Sequence, residues 1–184
     1  MKSLLILIFI LVLFTGASNS FAQTKDEITN DIRGKMEDIH LDTAIKSVTL
    51  QNEEFLQNMT DRGGELTGFY KGKRIYRIYQ SVGVSNGVYT TEFYYWKNRL
   101  MYVRDQFNSY VYNDSLGTFD YTKINPTFNG YYYFKDEKLI DHRSIGHNRF
   151  EGDDVNVEKE LLDESNELYK LIALKIKSTQ DILK

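Results

Sequence analysis

Apolar and polar residues alternate with two different periods along this chain, and the change of period marks its organisation. Ile28, Ile32, Met36 and Ile39 recur mostly four residues apart, the spacing of one helical stripe. Thr24-Lys-Asp-Glu27 stands just before them as a capping box, in which the Thr oxygen accepts from an amide and Glu27 reaches back. A helix over 25–39 is predicted, weakened by Gly34 by up to ~1 kcal/mol relative to Ala. Ile45, Val48 and Leu50 suggest a short strand over 44–51. Residues 52–61 read as a short helix or an irregular connection, closed by Arg62-Gly-Gly64.

From Glu65 to Ile145 the pattern is that of strands. All but one of the 14 tyrosines lie between Tyr70 and Tyr133, and aromatic residues fit a pleated, half-buried surface better than a helix. Strands are expected near 65–71, 74–82, 88–97, 99–107, 109–113, 128–135 and 138–145. Lys71-Gly72, Lys97-Asn98, Lys135-Asp-Glu-Lys138 and Ser85-Asn-Gly87 supply the turns, Asn-Gly being a strong hairpin signal. Residues 114–125, between these strands and Pro126, read as a loop with at most one short strand. Val157, Leu161, Leu168, Ile172 and Ile176 then follow at spacings of 4, 7, 4 and 4, widened by Leu162, Leu171 and Leu174. Acids near the start and lysines near the end suit the helix dipole, so a helix over 156–178 is predicted. The expected fold is α+β: a single antiparallel β-meander with N- and C-terminal helices packed on one face.

Three stretches repeat one hairpin rule: Phe69-Tyr-Lys-Gly-Lys-Arg-Ile75, Tyr94-Tyr-Trp-Lys-Asn-Arg-Leu100 and Tyr132-Tyr-Phe-Lys-Asp-Glu-Lys-Leu139. The unit resembles the Tyr-rich hairpin repeats of MORN-like and YwqK-type proteins over about a quarter of the mature chain. Its turns depart from the Asn-Gly-Lys of those repeats, and its copies stand 25 and then 38 residues apart, whereas a solenoid needs a steady period. In outline the chain is similar to small secreted bacterial β-meander proteins of PepSY-like or β-lactamase-inhibitor-like architecture. No site residue carries over from that likeness.

The N-terminus changes the picture of where the protein works. Lys2 followed by an apolar run from Leu4 to Phe14 has the form of a signal peptide, too short for a spanning helix of about 20 residues. Ser20-Phe21-Ala22 supplies small residues for cleavage after Ala22, leaving a single domain over 23–184. Without cysteine there is neither a disulfide nor a lipoprotein anchor. The expected location is therefore periplasmic or secreted, with no membrane insertion after signal removal. The net charge of −3, one unit more negative once Lys2 is removed, argues against a nucleic-acid partner. Asn58-Met-Thr60 and Asn113-Asp-Ser115 match the glycosylation acceptor pattern, which matters only in a eukaryotic host.

Candidate chemistry is sparse. Asp141-His142, His147, Glu151, Asp153 and Asp154 include zinc-ligand types, but their spacing matches no metal motif. The run from Asp153 to Glu158 lacks the glycine of a calcium loop and reads as an acidic helix start. There is no thiol, no Gly-x-Ser-x-Gly elbow and no phosphate loop. No metal and no cofactor are expected. The alternation along 90–97 puts Glu92, Tyr94 and Trp96 on one side and Phe93 and Tyr95 on the other, so both sheet faces are aromatic. One face is expected to be open, with Tyr94, Trp96, Tyr102 and Arg104 as a protein-binding patch. A glycan stacking on the same rings is the alternative within binding. A small hydrolase using Asp or Glu of the sheet face is the alternative from another class, since a carboxylate pair leaves no local signature.

Overall fold

The computed structural model describes residues 23–147, 149–152 and 154–182. The leader expected over 1–22, its cleavage point and Asp153 lie outside them. Helix α1 spans Lys25–Leu41, and its capping box forms: Thr24 Oγ1 accepts from Glu27 N at 3.3 Å while Thr24 N donates to Glu27 Oε2 at 2.8 Å. Seven strands follow: β1 (Lys46–Gln51), β2 (Gly64–Lys71), β3 (Arg74–Val84), β4 (Gly87–Trp96), β5 (Arg99–Asn113), β6 (Thr118–Lys135) and β7 (Lys138–Gly146). They form one antiparallel sheet in sequence order, a plain meander. Helix α2 (Val157–Ile182) closes the chain, with Asn156 Oδ1 accepting from Lys159 N at its start. The α+β meander with terminal helices is thus as the sequence predicts. Among the described residues no helix is long and apolar enough to cross a membrane.

The connections hold most of the local surprises. Residues 52–61 yield one 3-10 turn, Asn52–Glu54, and otherwise irregular chain. The segments expected as separate strands over 99–107 and 109–113 are one strand, and the expected loop over 114–125 is largely the other half of the same hairpin. Pro126 fits inside β6 because it stands at an irregularity where Phe107 pairs Phe128 and Asn108 pairs Pro126. The Ser85-Asn-Gly87 turn is also shifted. Gly87 begins β4, where a Cβ would lie 2.5 Å from Asn108 O, so close approach requires glycine there.

The three repeated stretches share one geometry. Their two-residue turns are Gly72-Lys73, Lys97-Asn98 and Asp136-Glu137, with positive φ at Gly72 and at both residues of the other two. Next to each turn the register slips. Phe69 pairs Arg77 but Tyr70 pairs Ile75, which leaves Tyr76 extra. Tyr94 pairs Tyr102 but Tyr95 pairs Leu100, leaving Met101. Tyr133 pairs Asp141 but Phe134 pairs Leu139, leaving Ile140. A bulge turns its extra residue out of strict alternation, and here Tyr76, Met101 and Ile140 all join the cluster around Ile32 and Ile39 of α1. The hairpin repeat builds the seat of the first helix.

That seat corrects the placement of the helices. They do not share a face. Helix α1 packs with Tyr94, Met101, Tyr102 and Tyr133, whereas α2 packs Leu161, Leu168, Ile172 and Ile176 against Leu66, Ile78, Phe93, Val103 and Phe134 on the opposite side. Both faces of the turn-proximal half of the sheet are apolar, and burial at about 25 cal/mol per Å² favours covering each. Gly68 lets α2 approach, since a Cβ there would come within 2.2 Å of Ile172 Cγ2.

Candidate functional site beside helix α1

All four predicted residues lie on the α1 side of the sheet, but not as an open patch. Tyr94 and Tyr102 are 3% and 5% exposed, covered by the helix, and their rings meet edge to face at 5.7 Å. The exposed aromatic face is corrected accordingly: on this side the rings are core. Trp96 is half-buried on one flank of α1, with Lys35 Nζ 5.4 Å above its ring. Arg104 emerges on the other flank. Helix α1 separates the two.

A cleft of about 270 Å³ opens at the Arg104 flank, lined by Met36 and His40 of α1 and by Arg77, Glu92, Arg104 and Tyr131 of four adjacent strands. Alternation brings the strand residues together, because Glu92 pairs Arg104 and Arg104 pairs Tyr131 in register. Glu92 Oε2 accepts from Arg77 Nη2 at 2.8 Å and from the Tyr94 hydroxyl at 2.9 Å. His40 Nε2 lies 2.8 Å from the same hydroxyl, so a polar chain runs from the helix to the sheet. Burial pushes the Tyr94 and Tyr102 hydroxyls well above the ordinary tyrosine range, and both stay protonated as donors. Arg77 is further held by rings, its guanidinium 4.8 Å from the Phe69 centroid.

Arg104 is held least. Its Nη1 is 3.9 Å from Glu92 Oε1, and its side chain is 40% exposed. The buried Nε atoms of both Arg77 and Arg104 make no hydrogen bond among the described residues. Two guanidinium groups therefore face one carboxylate, and that carboxylate is already engaged. Such a site attracts an anionic oxygen group, which Arg meets with parallel donors. Sequence reasoning singled out Arg104 but not Arg77, His40 or Tyr131. Placing Glu92 beside Tyr94 by alternation was the available clue, and the register supplies the rest.

The other face carries a second polar group that the sequence gave no sign of. Asp105, buried on β5, accepts from Thr91 Oγ1 at 3.1 Å and from Arg149 Nε at 2.8 Å, while Arg149 Nη2 reaches Glu164 on α2 at 2.7 Å. This group fastens the segment after β7 to the sheet and to α2. The histidines weighed as ligands stand apart: His142 is exposed and stacks on Tyr132, and His147 meets Glu151 at 3.3 Å. Among the described residues no three metal-ligand side chains converge.

No protein-family model, no curated protein and no solved structure matches the chain, so the cleft's own chemistry is what speaks to function.

Proposed function

We propose that the chain is an exported, non-catalytic interaction module that binds a protein partner at the Arg104 cleft, where the partner presents an acidic side chain. The observation that carries this reading is the Arg104 side chain itself, two-fifths exposed, its guanidinium 3.9 Å from the Glu92 carboxylate and flanked in its row by half-buried Tyr131. Arg and Tyr beside a covered apolar cluster are the residue types that anchor interfaces. The surplus positive charge of Arg77 and Arg104 over Glu92 selects an acidic partner.

The same geometry supports binding over hydrolysis. A glycosidase-type pair needs two carboxyl groups about 5–9.5 Å apart; the cleft is lined by one, and Glu92 is bonded to Arg77 and Tyr94. Stacking of a sugar on Tyr94 or Tyr102 would require α1 to leave, because both rings lie beneath it.

The test is capture of one stoichiometric protein from the native compartment by the purified domain. Arg104→Gln, which puts no second carboxylate opposite Glu92, is expected to lose the partner with little change in melting temperature, and Tyr112→Ala, on the distant β5–β6 hairpin, to keep it. Retention by Arg104→Gln, or equal loss in both variants, overturns the reading. Replacing Tyr102 would be uninformative, since its removal opens the core.

A further inference from the structure

On the opposite flank of α1 lies another cleft, of about 540 Å³, twice the volume of the first. It runs between the helix and the tips of the β4–β5 and β6–β7 hairpins, and its size falls within the ~300–1,000 Å³ of small-molecule sites. Ile32 and Met101 are buried at its floor, while Leu100 and Phe134, which also line it, belong to the cluster on the α2 side. Half-buried Ile28 and Trp96 form the exposed apolar part of the lining.

The rim is cationic, and its charges are unevenly matched. Asp31 pairs with Lys35, and Asp136 with Arg99 at 2.7 Å. Both acids of the lining are thereby engaged. Lys97 has no acidic partner among the described residues, and Lys135 Nζ reaches only Gln23 Oε1, at 3.4 Å. Both lysines sit at hairpin tips, where the turn geometry fixes their backbones: Lys97 has φ +52°, and Lys135 pairs with Lys138 across the turn.

A cleft that sets an apolar strip of Ile28, Ile32, Trp96 and Met101 beside two uncompensated ammonium groups at its lip matches a molecule with a hydrocarbon body and an anionic end. We propose that this cleft binds a single-chain amphiphile with a carboxylate or similar anionic head, its chain along Ile28 and Trp96 and its head between Lys97 and Lys135. A fully polar anion would leave the apolar strip uncovered. A neutral apolar chain would leave both ammonium groups without a counter-charge. The site is independent of the Arg104 cleft, from which α1 divides it.

Trp96 is the only tryptophan of the chain, so its emission reports on this cleft alone. Titration of the domain with decanoate, below its micelle threshold, is expected to give a saturable blue shift. Acetate, which lacks the chain, and decanol, which lacks the charge, are expected to give none in the same range. The double variant Lys97→Asn/Lys135→Gln is expected to bind decanoate about tenfold more weakly, the combined effect of two exposed charge contacts. Asn tolerates the positive φ at position 97 and both positions are exposed, so an unchanged melting temperature is expected. No saturable shift with decanoate, an equal response to acetate or decanol, or undiminished binding by the double variant overturns the proposal.

Discussion

Arg149 Nε stands 2.8 Å from Oδ2 of Asp105, a carboxylate whose side chain is 1% exposed. The same guanidinium reaches Glu164, and the two carboxylates outweigh the effect of burial and hold Arg149 above its ordinary value. The partners of Arg149 are not equivalent. Burial raises the Glu164 carboxyl above its ordinary 4.5 despite the attraction of Arg149.

Unequal consequences are expected for two substitutions in this group. Arg149→Ala leaves Asp105 buried with only the Thr91 hydroxyl, which should cost about 3–5 kcal/mol. Glu164→Gln removes the charge that burial disfavours and leaves Arg149 paired with Asp105, so no loss is expected at neutral pH. The sign follows from linkage. With its folded pKa raised, Glu164 contributes stability fully present below 4.5 and lost as pH rises through the folded value. Urea midpoints from pH 4 to 8 should show that slope in the parent and a flatter one in Glu164→Gln. A Glu164→Gln loss as large as that of Arg149→Ala would sink the argument.

Two glycines should respond to alanine with opposite signs. At Gly68 a Cβ would meet Ile172 Cγ2 at 2.2 Å, so Gly68→Ala forces α2 outward at a cost of about 1–3 kcal/mol. At Gly34, inside α1, a Cβ meets nothing within 4 Å, and Gly34→Ala should stabilise by up to about 1 kcal/mol. Thermal melts of the two variants decide this, and a shift of the same sign in both contradicts it.

The turns were legible in the sequence because each depends on two or three adjacent residues, as at Lys97-Asn98. The helices were legible because their stripes are local. What escaped was the bulge beside each turn. Its signal is an apolar doublet that breaks alternation, Ile75-Tyr76, Leu100-Met101 and Leu139-Ile140. Read as simple strands, these doublets hide the seat of α1, and Tyr94 and Tyr102 then look exposed. The β5–β6 hairpin was obscured by Gly117 and Pro126, which the strands accommodate at a turn and at a register slip. Asp105, Arg149 and Glu164 left no trace, because residues so far apart in sequence meet only when the fold closes.

Asp120 marks another slip, where Val111 pairs Asp120 but Tyr110 pairs Ile124. Its carboxylate accepts from Thr122 Oγ1 at 2.6 Å and from Thr122 N at 3.0 Å, and Lys123 lies 2.9 Å away. These contacts, the Thr122 hydroxyl foremost, lower its carboxyl to about 2 from an ordinary 3.8. A depressed folded value favours the native hairpin above pH 3.8, and the contribution fades as pH falls through about 2. In an NMR titration of the carboxyl carbon, Thr122→Val should move the Asp120 midpoint upward. An unmoved midpoint would assign the shift to Lys123 instead.

The hydroxyl of Tyr94 has one hydrogen and two polar neighbours, Glu92 Oε2 at 2.9 Å and His40 Nε2 at 2.8 Å. An ionised carboxylate accepts only, so the hydrogen goes to Glu92 and His40 must donate its own from Nε2. The neutral imidazole is thus expected as the Nε2–H tautomer, although the ring is exposed. Long-range nitrogen-15 correlation spectra distinguish the tautomers directly. Tyr94→Phe should release His40 to the mixture of a free imidazole and lower stability by about 1–2 kcal/mol, Arg77 still satisfying Glu92. A parent protein with the proton on Nδ1 would break the chain, because the single Tyr94 hydrogen could then serve His40 or Glu92 but not both, and the Asp42–Lys71 ion pair would be the polar tie left intact at that end of α1.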